Sequence, residues 1–121
     1  MGACTTLADS VSAKGSGTKR IYDRTQEEIW PIAIEAVNDV GLSFVSSDTT
    51  KNMILAQGGM SLISYGENVA IFVESINEKQ CMVEVVSKRV MTTNILAKSW
   101  ALDIFNAINE KTNTKGVAPE D

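Results

Sequence analysis

Residues 67–90 read ENVAIFVESINEKQCMVEVVSKRV. Val69, Ile71 and Val73 alternate with Ala70, Phe72, Glu74 and Ile76, and after Asn77–Gln80 the alternation resumes. There Cys81, Val83, Val85 and Ser87 interleave with Met82, Glu84, Val86 and Lys88. β-Branched residues at a period of two, broken once by polar turn formers, describe an antiparallel hairpin. The pattern predicts that Val69, Ile71, Val73, Val83 and Val85 face a helical layer. The other face is mixed: Phe72, Ile76, Met82 and Val86 share it with Glu74, Glu84 and Lys88. Its carboxylates read as a solvated outer sheet face, Glu74 and Glu84 as neighbours across the hairpin with Lys88 and Arg89 as counter-charges.

Amphipathic segments flank the hairpin on both sides. Thr25 followed by Glu28 is a capping box before a helical run. Ile29, Ala33, Val37 and Val40 form a stripe widened by Trp30 and Ile34, with Glu35, Asn38 and Asp39 opposite. Gly41 suits the left-handed residue that ends a helix, so the helix is predicted over Gln26–Val40. Pro31 falls within it, on the polar face, where water can satisfy the carbonyl it frees. A start at Pro31 as the first helical residue is the alternative. Downstream, Asn94 is a candidate N-cap for a second helix over Ile95–Asn109. In that helix Trp100 and Ile104 read as core positions facing Ile71, Val73, Val83 and Val85.

Shorter strands complete the pattern: Thr18–Tyr22, Leu42–Ser47 with Leu42 and Phe44 on one face, and Met53–Gln57 after a turn over Asp48–Asn52. The order β-α-β-β-β-β-α, with one wide apolar face on each helix, predicts an α+β two-layer sandwich. It has an antiparallel sheet of four to five strands with two helices on one face. Residues 1–17 are small and polar and read as a flexible tether. Residues 18–110 form the single domain, and residues 111–121, polar with Gly116 and Pro119, read as a disordered tail. Between Gly58-Gly59 and Gly66, Met60, Leu62, Ile63 and Tyr65 are large and apolar without a clear period. They are either a strand continuation or loop over the core edge, or an exposed lip and candidate partner surface.

The chain has 121 residues, a net charge of -4, and 44% hydrophobic and 21% charged residues, the composition of one globular domain. Its few Lys and Arg are scattered, so no nucleic-acid footprint is expected. No apolar run reaches the ~18 residues of a membrane-spanning helix. There is no histidine, which removes the commonest general base and metal ligand. The carboxylates Glu27, Glu28, Glu35 and Asp39 read as a solvated helix face. No CxxC, calcium-loop or phosphate-loop spacing is present. No catalytic residue, metal or cofactor is therefore expected. Cys4 and Cys81 fall in an arm and a strand, and no structural disulfide between them is expected.

Gly2-Ala3-Cys4 matches the end of a bacterial lipobox, small-small-Cys. On this reading an apolar signal stands upstream of Gly2, and Cys4 is the site of lipid attachment. Met1-Gly2 with Thr6 also fits a myristoylation signal, with Cys4 then palmitoylated, and a chance cysteine is the third reading. Thr25–Gly41, Gly66-Glu67 with its strand, Val83–Arg89 and the run from Thr93 to Trp100 together resemble a family of small bacterial lipoproteins of unknown function. The resemblance covers about residues 20–110. Such proteins are similar in architecture to the repeated domains of lipoprotein component C of the outer-membrane β-barrel assembly machine. That resemblance favours the lipobox reading and supplies no catalytic residues. It implies a non-enzymatic, lipid-anchored binding or scaffold module of the cell envelope, on the outer membrane facing the periplasm. Its partners would be the membrane, through the lipid, and another envelope protein. The alternative is a small-molecule or lipid carrier with a pocket between helices and sheet.

Overall fold

The computed structural model describes residues 17–58, 67–89 and 100–119. Cys4, the segment Met60–Gly66, the Asn94 cap and Ile95–Ser99 lie outside the described residues. Five strands and two helices are arranged as β1 (Thr18–Tyr22), α1 (Gln26–Asp39), β2 (Leu42–Asp48), β3 (Met53–Gly58), β4 (Glu67–Ser75), β5 (Cys81–Arg89) and α2 (Trp100–Thr112). The strands form one antiparallel sheet in the order β1-β5-β4-β3-β2. The fold is the expected α+β sandwich, with the sheet at five strands.

The hairpin is the centre of the sheet. Val73 pairs with Val83 and Ile71 with Val85, so the β-branched residues of both strands fall on one face. That face meets Ile29, Ala33, Ala36 and Val37 of α1 and Ile104, Phe105 and Ile108 of α2 in one buried cluster. Ile71, Val73, Val83, Ile104 and Ile108 are fully buried, and Trp100 packs partly buried against them. Strand β4 ends at Ser75, one residue short of Ile76. Ile76 instead donates its backbone N–H to the Gln80 carbonyl within the turn and stays exposed.

Helix α1 starts where its capping box directs. Thr25 Oγ1 accepts from the Glu28 N–H at 3.1 Å, and the Glu28 carboxylate reaches back to the Thr25 N–H. The helix then runs through Pro31 without a break, with the ring on the exposed side. This excludes a start at Pro31. Gly41 has φ +95°, so it closes the helix as a residue without a Cβ can.

Helix α2 continues to Thr112, past the expected end at Asn109. The Thr112 hydroxyl donates to the Ile108 carbonyl at 2.8 Å, and Asn113 turns the chain with φ +52°. Asn tolerates that conformation better than most residues, so it can end a helix as Gly does. The tail expected to be disordered from Lys111 onward is ordered at least to Val117. Val117 forms an antiparallel bridge with Ile21, with N···O distances of 2.7 and 2.9 Å.

The second face of the sheet also departs from expectation. Met53, Ala70, Phe72 and Val86 form a second buried cluster there, joined by Leu55. Asn68 and Glu84 are only 2% exposed. Glu84 is therefore not on a solvated outer face. It stands in register with Phe72 and Lys19, and its Oε2 accepts from the Gly17 N–H at 2.8 Å. Glu74 pairs with Met82 rather than with Glu84. A carboxylate surrounded by apolar residues needs bonded donors to stay buried, and the alternation alone does not reveal one.

Candidate functional site

The titratable residues of α1 have a structural task. Lys111 of α2 lies 3.3 Å from the Glu35 carboxylate and 2.7 Å from that of Asp39. These two hydrogen bonds hold the ammonium above its ordinary pKa. All three groups remain well exposed, so the trio orients the helices more than it stabilises them. Glu28 is committed to the N-cap. Part of the row expected as a merely solvated face therefore fixes the start of α1 and its contact with α2. Among the described residues, no group of three His, Cys, Asp or Glu side chains comes close enough to hold a metal ion.

The two buried nucleophile-type groups are shielded. The Cys81 thiol is a free thiol in the core, and burial, with the Glu28 charge as a smaller cause, pushes its pKa up to about 11. Burial likewise raises the Tyr22 phenol. Its hydroxyl donates to Asn109 Oδ1 at 2.8 Å, and the same oxygen accepts from the Gly116 N–H at 3.2 Å. The recess at the start of α1, about 300 Å³, is lined by Gln26, Glu27, Trp30, Thr49 and Asn52 and is open to solvent. It is shaped by Gln26, whose amide donates to Asn52 Oδ1 at 2.6 Å and to the Val73 carbonyl at 2.7 Å.

The two sheet edges differ. Beside β1 the tail is latched in place by the Val117 bridge and by Gly116. A Cβ at Gly116 would come within 2.6 Å of the Tyr22 ring, so only glycine allows this approach. Among the described residues strand β2, at the other end of the strand order, has β3 as its single neighbour in the sheet. Its ladder shifts register between Phe44 and Ser46, a bulge at Val45. Leu42 is buried, but Phe44 and Val45 are each 42% exposed. Leu42 and Phe44 lie on one face as expected, opposite Gly58 and Ala56 in unbroken register, and only Leu42 is buried. The register shift follows Phe44, which keeps the face of Leu42 and is part-exposed at the end of the strand order.

Helix α1 flanks this edge. At 3.6 residues per turn, the side bearing Glu35 and Asp39, which meets Lys111, lies across the buried stripe from the side bearing Trp30 and Ile34. Trp30 and Ile34 are half-buried against the core. Trp30 shares its recess with Thr49 of the β2–β3 turn, which places this flank over the β2 side of the sheet. Trp30, Ile34, Phe44 and Val45 thus form an apolar margin along an open strand. The sequence shows these residues as apolar without showing that they stop short of full burial.

The chain matches no protein-family model, and no curated protein matches it significantly. The proposed site residues Cys4, Met60, Leu62, Ile63 and Tyr65 lie outside the described residues, so the candidate surface within the described fold is the β2 margin.

Proposed function

We propose that the chain is a non-enzymatic binding or scaffold module of the bacterial cell envelope, anchored by lipid at Cys4. The observation that carries the binding part of this reading is the contrast between interior and rim. Among the described residues the space between helices and sheet is packed with apolar side chains: Ile29, Ile54, Ile71, Ile104 and Ile108 are all fully buried in one cluster. Exposed apolar side chains stand together at Phe44 and Val45 of β2, where another protein can reach them, and singly at Ile76, Leu102 and Val117. A filled interior also disfavours the carrier alternative, which needs an apolar cavity between the layers.

The anchor follows from chemistry at Cys4. Small residues at Gly2 and Ala3 suit the narrow site of a signal peptidase, and the cysteine thiol then takes the acyl chains. No helix among the described residues is long and apolar enough to cross a membrane. β1 begins at Thr18, so about a dozen polar residues separate Cys4 from the fold, on the order of 20 Å root-mean-square for a flexible chain. Each buried methylene contributes about 0.8 kcal/mol, so one acyl chain holds marginally and two or three hold firmly. Outer-membrane residence facing the periplasm, with another envelope protein as partner, completes the proposal. The test expresses the gene with its native signal and compares it with Cys4→Ser. The wild type is expected in the membrane fraction with acyl mass on its N-terminal peptide, and the variant in the soluble fraction. A variant that still sediments with membranes, beside a wild type without acyl mass, refutes the anchor.

A further inference from the structure

We infer that the second face of the sheet is the docking face for this chain's own N-terminal arm. Residues 11–16 cross β5, β4 and β3 there, and Lys14 meets the carboxylates of Glu74 and Glu84. The starting point is a buried surface that no described element covers. Met53, Ala70, Phe72 and Val86 are at most 7% exposed, yet both helices pack on the opposite face. Asn68, Phe72, Glu74 and Glu84, all on the second face, each engage a further partner. On a bare sheet face Met53 and Phe72 would stand open to water. Another part of the chain therefore lies over them.

Gly17 points to the part. Its N–H donates to Glu84 Oε2 at 2.8 Å, and Glu84 shares the second face with its register partner Phe72. A Cβ at Gly17 would collide with the Val85 carbonyl and come within 2.8 Å of Val86 Cγ2. The chain thus enters β1 over Val86, at the margin of the buried cluster. Residues 59–66 and 90–99 instead leave the sheet from one end, at Gly58 and Arg89. Reach and chemistry agree with the arm. Six extended residues span ~20 Å, against ~10 Å from β5 to β3. Ser12, Ala13, Gly15 and Ser16 are small enough for a backbone to lie close on the sheet. Lys14 is the one Lys or Arg among residues 1–17. At ~10 Å of extended chain before Gly17 it comes over β4, within a side chain's length of Glu74 and Glu84. A cation held there offsets the cost of burying a carboxylate. Where Cys4 carries lipid as proposed above, the docking leaves about six free residues, roughly 13 Å root-mean-square, and turns the second sheet face toward the membrane. That consequence rests on the anchor, and the docking does not.

The test uses the unacylated 121-residue chain as Cys4→Ser, whose remaining thiol is buried, with a nitroxide attached through Ser12→Cys. Methyl signals of Leu55, Ala70 and Val86 are expected to broaden at least tenfold more than those of Leu102, exposed on α2. Lys14→Gln should weaken that broadening at least threefold, and an unchanged pattern overturns the role given to Lys14. Without the label, tryptic cleavage after Lys14 is expected at least tenfold slower than in a peptide of residues 8–20. Gly17→Val should restore the peptide's rate while Cys81 still labels slowly, which separates release of the arm from unfolding. The nitroxide readout does not depend on that variant. Broadening no stronger at Leu55, Ala70 and Val86 than at Leu102, or cleavage of the parent chain at the peptide's rate, overturns the proposal. A nitroxide through Ser61→Cys that reaches these methyls, beside one at position 12 that does not, overturns it in favour of residues 59–66. Because the protein carries no lipid, this test and the Cys4 test fail independently.

Discussion

Tyr22 at the end of β1 pairs directly with Cys81 at the start of β5. Both are fully buried, and both acids are held protonated by burial. The sign of the pH effect follows. An unfolded cysteine ionises from its ordinary 9.0, while the folded one waits until about 11, so alkali ionises the unfolded chain first. Stability from Cys81 is complete below about pH 8 and declines as pH rises through 9 to 11, and Tyr22 adds to the decline above its ordinary 10.0. Urea titrations at pH 7, 9 and 10.5 should show midpoints that fall in that order, with a smaller fall in Cys81→Ala measured against its own value at pH 7. In Cys4→Ser protein at pH 8, Cys81 should react with a thiol reagent only at the rate of unfolding. Fast labelling in the native state would contradict its burial.

At the scale of elements, α2 is fixed by its buried stripe and α1 by its cap. Ile104 is fully buried between α1 and the hairpin. Truncating it removes three methylene-sized groups and leaves a cavity, so Ile104→Ala should cost roughly 2–5 kcal/mol in urea unfolding. A loss under about 0.5 kcal/mol would mean that the helix is not seated as described. The Thr25 cap is exposed and local, and Thr25→Ala should cost about 1 kcal/mol. This ordering, core well above cap, separates tertiary packing from local helix formation, because both changes act on helices of similar length.

For the whole molecule, the decisive contrast lies between the two edges of the sheet. The tail covers β1 through two backbone hydrogen bonds at Ile21 and through Gly116 on Asn109. Removing residues 113–121 should cost about 2 kcal/mol, at roughly 1 kcal/mol for each bridge bond. It also leaves a second open edge. Thermal unfolding should shift downward by about 8–16 °C for a domain of this size. The truncated chain should also self-associate more readily than its parent, since β1 then loses the segment that bridges it. A truncated chain as stable and as small as its parent would show that the latch is incidental.

The sequence by itself determined the hairpin, the start of α1 and the α+β order of elements. Those signals are local: a period of two in 69–73 and 81–87, a cap at Thr25 and Glu28, a glycine at 41. What it could not decide was set by contacts distant along the chain. Whether Glu84 is solvated depends on Gly17, 67 positions away. Whether residues after Lys111 order depends on Ile21 and Tyr22 of β1 and on Arg24 beyond it, which meet Val117, Gly116 and Thr112. The exposure of Phe44 depends on which strand lies at the end of the strand order, which the run Leu42–Ser47 does not announce. Periodicity reports which residues can be buried. Only the tertiary structure decides which of them stay exposed, and among the described residues these include Phe44 and Val45 of β2.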